Sequence, residues 1–444
     1  MSIVDNLNNL QTNIENAKSI LVNNLTEKGV TSATTSSTLT VLATSVADIP
    51  NSGGGGNPFE EIGYTSTPKY IQDGIDYSKE IYDNWDASVT NRSGAFSGDT
   101  ELVYCPKVDT SNVTRMDYMF SGCTNLEYVP ELDMTNVTKI NGMFGRCTNL
   151  KGFNFKNLDT SKITSISKLF ENSKFDVVDF SDWDTTTFKS TYYAFASCSG
   201  NTINLSNWVL KGGNSSDGIG HMFDYCKVKE IILNNVNTSA VTDMTSMFYQ
   251  CTNLTSLDVS SFDTSNVTSM YQMFYQCSGL TSLDLSMFDT SNVTNMGQMF
   301  YYCNGLTSLD VSHFNTSKVT SMYNMFYNCS GLTSLDISSF DTSNVTNMNQ
   351  MFRYCNNLTE IYWKNFGNGS GYTSVDFGSS SKLGVNTTDY PNAKQSLIDT
   401  LITYSFDRAT AGYSTCTVKL SSTTKALLTQ DEIAAITAKG FTIA

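Results

Sequence analysis

Apolar and polar positions recur along the middle of the chain with a period of about 26 residues. Phe120, Phe144, Phe170, Phe195, Phe223, Phe248, Phe274, Phe300, Phe326 and Phe352 mark the register, at spacings of 24, 26, 25, 28, 25, 26, 26, 26 and 26. Three residues after each Phe stands a Cys, except at Ser173. One unit, 254–279, shows the logic. Leu257 and Val259 alternate with polar residues and predict a strand with one buried face. Asp263, Thr264, Ser265 and Asn266 then predict a turn, because their side chains bond to nearby backbone. Met270, Met273, Phe274 and Cys277 fall at i, i+3, i+4 and i+7, the apolar stripe of a short helical turn. Each unit is apolar on one side only, so a single coil cannot bury itself and a stack of coils can.

Between 153 and 236 the pattern loosens. Leu169 and Ala194 stand at the Met position, Trp183 and Trp208 take the aromatic site at the strand end, and the turn motif dissolves near Gly212–Gly220. The Phe register holds throughout, which predicts that these coils still stack, with a bulge or an insertion.

The unit FDTSNVTxMxxMFxxCxxLTSLDLS, with its L-x-x-L-x-L strand spacing at Leu254, Leu257 and Val259, resembles the BspA-type leucine-rich repeats of bacterial surface proteins and of related mycoplasma, protist and phage proteins. The resemblance covers about 101–366. It implies an α/β repeat, a right-handed leucine-rich-repeat solenoid with parallel strands, short helical turns and about ten coils. The roles it implies are adhesion and protein or glycan binding, with no catalytic residues.

The flanks differ from the array. Ile3, Leu7, Leu10, Ile14, Ala17 and Leu21 form a heptad seam that predicts a helix for oligomerisation or attachment. A second helix is predicted over 36–49, so 1–50 reads as a small helical module. Its segment EKGVTSATTSSTLTVLATSVADIP resembles short N-terminal modules of phage structural and tail-associated proteins. Residues 51–57 are a Gly-rich linker, and 58–100 are expected to cap the first coil with a helix around 71–85. The region 367–444 is expected to cap the last coil. Its predicted helices run near 393–404 and from Thr429 or Asp431 to Gly440.

Composition narrows the function classes. With 40% hydrophobic residues the chain is globular, and the net charge of −15 argues against a nucleic-acid partner. The N-terminus lacks a basic and apolar leader pattern, and no run of about 18 apolar residues predicts membrane insertion. The Asn residues of the recurrent NVT sequons (Asn112, Asn136, Asn266, Asn292, Asn344) belong to the turn motif, and without a leader pattern no glycosylation is expected. His221 and His313 are the only histidines, and no Ser-His-Asp, Cys-His or paired-acid arrangement accompanies them. No enzyme activity and no cofactor are expected.

Three columns of side chains remain as candidate chemistry. The Cys column could be a disulfide staple or a metal ladder, but parallel side-chain vectors at about 5 Å suit neither. Buried apolar thiols are the expectation. Asp258, Asp284, Asp310 and Asp336 form a carboxylate column that calcium could relieve, but without a calcium-repeat signature; a solvated or hydroxyl-paired column is expected, and no metal site. Tyr249, Tyr275, Tyr301 and Tyr327, joined by Tyr271 and Tyr323, form either an aromatic ladder that packs the coil edge or a ligand-binding face.

Two roles follow. One is a non-enzymatic phage virion component, a fibre or exposed decoration. In it Ile3, Leu7, Leu10, Ile14 and Leu21 attach to other virion proteins or form a homo-oligomer such as a trimer, while the solenoid binds a host surface protein or glycan. The other is a bacterial cell-surface or secreted adhesin.

Overall fold

The computed structural model describes residues 71–72, 75–76 and 85–444, apart from 104, 106–107, 128, 130–131, 152–158, 214–217, 369–370, 372–373, 378–382, 384–391, 404, 406 and 413. The heptad seam of Ile3, Leu7, Leu10, Ile14 and Leu21, the helix over 36–49 and the linker 51–57 lie outside the described residues. The chain divides into two units, Met1–Thr67 and Pro68–Ala444, and all the described residues belong to the second.

The second unit opens on strands β1 (Ile71–Gln72) and β2 (Ile75–Asp76), paired antiparallel. The helix expected to begin at 71 is therefore not formed there. Asp73-Gly74 is a hairpin-turn sequence, and it outweighs the apolar spacing that suggested a helix.

From Trp85 onward the chain is a leucine-rich-repeat-type solenoid of stacked coils joined by parallel bridges. Asn91, Arg115, Lys139, Ser165 and Ser190 form one continuous column of bridges, and Asp243, Ser269, Asn295, Ser321 and Asn347 a second. The core is one continuous cluster, and its spine is phenylalanine. Phe96, Phe120, Phe144, Phe170, Phe195, Phe223, Phe248, Phe274, Phe300, Phe326, Phe352 and Phe377 stack face to face. Successive centroids lie between 5.3 Å (Phe223–Phe248) and 6.0 Å (Phe170–Phe195) apart. The column thus extends one coil beyond the repeat motif at each end. Trp85 stacks on Phe96 at 6.1 Å, with the Arg92 guanidinium 3.7 Å above the indole. Each ring contributes roughly 1.5–3 kcal/mol through burial, and stacking adds about 1 kcal/mol.

The segment expected to be a short helical turn is a run of tight turns. Met270, Met273, Phe274 and Cys277 are all buried, as the stripe requires. The amides of Met270, Gln272, Phe274 and Gln276, however, donate to Asn295, Gly297, Met299 and Tyr301 of the next coil. Only the intervening amides of Met273, Tyr275 and Cys277 return to the carbonyl three residues back. Gln272 and Gln276 accordingly sit at φ 58° and 54°, and every coil from Phe96 to Phe352 repeats this two residues before and after its Phe. A helix would keep all these bonds within the segment; the stack diverts half of them to its neighbour.

Polar residues of the motif also bond between coils. Asp263 Oδ1 accepts from the Ser265 amide at 3.0 Å, which closes the turn. Thr264 Oγ1 donates to Asp289 O at 2.9 Å, Asn266 Nδ2 to Ser239 O at 2.9 Å, and Thr268 Oγ1 to Thr242 O at 3.0 Å. Net values near 1 kcal/mol per bond accumulate along the array.

Regular strands form mainly in the looser coils. Strands β3 (Val177–Asp179), β4 (Ser199–Asn204) and β6 (Lys227–Ile232) make one parallel sheet. Strands β5 (Val209–Gly212) and β7 (Asn237–Val241) pair in parallel, with a bulge between Val209 and Lys211 near the place where the turn motif dissolves. Near the end β8 (Ser334–Asp336) pairs with β9 (Glu360–Tyr362).

The edge of β9 is covered chemically as well as sterically. Helix α1 (Ala393–Ile398) packs on β9, and Ser396 Oγ accepts from the Ile361 amide at 3.0 Å while donating to Ile361 O at 2.8 Å. Thr400 Oγ1, in the π-helical turn Asp399–Thr403, donates to the same carbonyl. The unpaired backbone that would otherwise template another strand is thereby satisfied. Strands β10 (Ser374–Asp376), β11 (Cys416–Lys419) and β12 (Phe441–Ile443) form a parallel sheet beside helices α2 (Ser422–Ala426) and α3 (Gln430–Ala438). Thr429 caps α3 in a reciprocal capping box with Glu432. Gly440, at φ 85°, ends it.

Candidate functional site

The tyrosines form a ladder parallel to the phenylalanine spine. Each directly follows its Phe, so the inward Phe and the half-buried Tyr fall on opposite sides of the same turn. Tyr249–Tyr275, Tyr275–Tyr301 and Tyr301–Tyr327 stack with centroids 4.4, 4.6 and 4.7 Å apart. Tyr225 meets Tyr249 edge-on at 5.3 Å, and Tyr354 closes the other end against Tyr327 at 5.2 Å. The Arg353 guanidinium lies 4.9 Å from the Tyr354 ring centre.

Burial raises the phenol of Tyr275, and Tyr249 beside it adds to the shift. Burial and then Tyr301 push Tyr327 up to about 12. The Tyr275 and Tyr327 hydroxyls are therefore neutral donors at physiological pH. Tyr271 sits on an adjacent row and donates to Gln298 Oε1 at 2.8 Å, an oxygen that also accepts from Gln272 Nε2 at 2.9 Å. Tyr323 raises the phenol of Tyr271 electrostatically, after burial, so these two belong together as well.

The sequence pattern missed Tyr225, Tyr302 and Tyr354, which sit two residues after Phe at φ 56°, 59° and 65°. That left-handed position elsewhere holds Gly, Gln, Asn, Ser or Arg, so no column of Tyr announces it. The assembled face is aromatic and amide-rich, able to offer flat apolar contact together with hydroxyl and amide hydrogen bonds.

The other two columns are bonded within and between the coils. Each solenoid Cys is buried, and all eleven cysteines are unbridged. Cys277 Sγ donates to Phe248 O at 3.0 Å, and Cys251, Cys303, Cys329 and Cys355 repeat the bond between coils. Ser173, the one departure from Cys, donates its hydroxyl to Phe144 O in the same way. Cys198 and Cys226 instead face each other, with sulfurs 3.3 Å apart. Each carboxylate of the Asp column accepts from the amide two residues on: Asp258 from Ser260, Asp284 from Ser286, Asp310 from Ser312 and Asp336 from Ser338. Those serine bonds hold Asp258, Asp284 and Asp310 below the ordinary carboxylate range. Their stabilising contribution is present at neutral pH and is lost only as pH falls below about 3.8. Removing calcium with EGTA at pH 7 is expected to leave Tm unchanged; a fall of several degrees would assign a cation to this column.

His221 pairs with Asp224 at 3.2 Å and His313 Nε2 lies 3.0 Å from Leu285 O, on different coils. Among the described residues no group of three or more His, Cys, Asp or Glu could hold a metal ion, and no helix is long and apolar enough to cross a membrane.

Fold and face together define a leucine-rich-repeat-type parallel solenoid with an aromatic edge. The family described as "Mycoplasma protein of unknown function, DUF285" matches residues 70–151, 90–208, 217–309 and 280–368. These segments take in well over half of the chain, and the protein belongs to that family. No curated protein matches it. Among solved structures it is similar to a leucine-rich repeat protein from Bacteroides ovatus, at 17% identity and a TM-score of 0.29, over 65% of this chain and 82% of that one. It is also similar to a chain of a TLR13–ssRNA13 complex, at 14% identity and a TM-score of 0.21, over 76% of this chain and 49% of that one.

Proposed function

We propose that this protein is a non-enzymatic recognition protein displayed on the exterior of a phage particle, with its tyrosine edge binding a surface protein or glycan of the host. The observation that carries the recognition role is the stacked ladder of Tyr249, Tyr275, Tyr301 and Tyr327, half-exposed on an amide-rich face. Tyr is suited to recognition because a rigid ring and a polar tip give contact area at low entropic cost. The N-terminal segment, with its seam of Ile3, Leu7, Leu10, Ile14 and Leu21, is the part that would attach to other virion proteins or form a homo-oligomer.

The binding role is tested by host-cell adhesion of the full chain with Tyr275→Ala and Tyr301→Ala together. A loss of about tenfold or more is expected. Tyr275→Phe with Tyr301→Phe keeps the stack and separates lost hydroxyls from lost packing. Adhesion unchanged by the double Ala variant refutes the tyrosine face.

A second reading, an adhesin on the bacterial cell surface, is favoured by the family's description, which names a bacterium. Mass spectrometry and immunogold labelling of density-purified particles decide between the two. Stoichiometric recovery with gold on particles supports the virion, and gold on cell envelopes supports the adhesin.

A further inference from the structure

The three coils marked by Phe170, Phe195 and Phe223 are each one residue short in the same place. In the regular coils the buried Leu254 and Leu257 follow Cys251 by three and six residues. Here Phe175 and Val178 follow Ser173 by two and five, and Val228 and Ile231 follow Cys226 by two and five. Ile203 likewise follows Cys198 by five, with Gly200 at the inner position. A cleft of about 670 Å³ lies over these shortened coils. Thr148–Lys151 form one wall and Asn253 stands at the other.

The floor is sheet. Lys174 bridges Ser199, and Ser199 pairs with Lys227; Asn201 and Lys229 fall between the paired Gly200–Val228 and Thr202–Glu230. The central strand β4 therefore presents the uncharged side chains of Ser199 and Asn201 between strands that carry lysine. At the inner position a Cβ on Gly200 would collide with the Phe175 carbonyl oxygen, so only glycine lets β4 approach the preceding coil this closely. Lys174, Lys227 and Lys229 are exposed and have no acidic partner among the described residues. Lys151 on the wall is held by Glu127 at 2.9 Å, and Asp176 accepts from Asn201 Nδ2. In a chain of net charge −15 these three lysines lining one cleft run against the overall sign.

We infer that this cleft binds an acidic glycan, a sugar chain bearing carboxylates or sulfates. Lys174 and Lys227 stand two strands apart, roughly 10 Å, a spacing that spans more than one sugar unit. The walls are rich in amides and hydroxyls: Asn149 and Asn253 donate their Nδ2 to Thr124 O and Lys227 O, which fixes the groups and leaves the amide oxygens as acceptors for sugar hydroxyls. The apolar lining residues Leu150 and Phe175 are each only 4% exposed, so neither a base-stacking platform nor a socket for an apolar peptide side chain is offered. The site lies outside the tyrosine ladder and does not depend on it.

The test is fluorescence anisotropy of the full-length protein with a labelled hexagalacturonate, against a neutral galactose hexamer and hexaglutamate. Hexagalacturonate is expected to bind in preference to both, and more weakly as salt rises. Lys174→Gln, Lys227→Gln and Lys229→Gln together should cost at least about tenfold in affinity with Tm unchanged. Ser199→Trp should block the floor while keeping every charge. Failure of hexagalacturonate to bind, equal binding of the neutral hexamer or of hexaglutamate, or full affinity in the triple variant would each overturn the inference.

Discussion

Raising the pH from 8 to about 10 is expected to unfold the solenoid in one steep step, well before most surface lysines titrate. Burial drives the shift at nine thiols: Cys123 and Cys355 are pushed up to about 12 and Cys416 to about 11, and Cys105, Cys147, Cys198, Cys251, Cys303 and Cys329 are raised too. In the unfolded chain the same thiols ionise near 8.5. A folded-state value above the unfolded one means that the stabilisation is complete below about pH 8.5 and is lost as pH climbs toward the folded value. Each such thiol contributes a slope of up to about 1.4 kcal/mol per pH unit, against a total stability of about 5–15 kcal/mol. Several acting together exceed that total within about one to two pH units. Tyr193 and Tyr327, both pushed up to about 12 mainly by burial, steepen the fall above pH 10. Circular dichroism against pH measures the midpoint. A variant with Cys251→Ser, Cys303→Ser and Cys329→Ser should keep the fold, because Ser173 already makes the same bond to Phe144 O, and should unfold at higher pH. An unchanged midpoint in that variant would show that the thiols are not the cause.

The same thiols mark where the sequence was readable. Phe and Cys positions gave the register of the coils, because a buried column admits few alternatives and tolerates no slip. The tyrosine column was legible for the same reason, from its fixed offset of one residue after Phe. The helical turn was not. Met270, Met273, Phe274 and Cys277 face inward both in a helix and in a run of tight turns, so the apolar stripe cannot separate them. The deciding fact is that the Met270, Gln272, Phe274 and Gln276 amides have carbonyls of the next coil within reach, which only the stacked structure supplies. The Asp-Thr-Ser-Asn motif was likewise half legible. Its Asp makes the local turn, but Thr264 and Asn266 bond to the coils on either side. The lysine cleft was not visible at all, since it arises from a single missing residue in each of three consecutive coils rather than from any motif.

Phe274→Ala is expected to break the array in the middle. The ring is fully buried and stacks between Phe248 at 5.7 Å and Phe300 at 5.8 Å, so its loss removes two aromatic contacts and opens a cavity in the spine. The direct cost is about 3–5 kcal/mol. In a structure where each coil touches only its neighbours, that cost falls on one pair of interfaces and does not spread. Calorimetry should therefore show more than a lower Tm. The single transition should split, with the coils before Phe274 and those after it melting apart, and hydrogen exchange should rise first at the Phe274 and Met299 backbone. Phe96→Ala, at the first ring of the column, should only fray the end, because just one phenylalanine partner is lost and Trp85 is the aromatic that stacks on its other face among the described residues. Phe274→Leu refills part of the cavity and should restore a single transition. If Phe274→Ala instead shifts one intact transition, coupling between coils resides in the hydrogen-bond columns of Thr, Asn and Cys, and the phenylalanine spine is filling rather than a fastening.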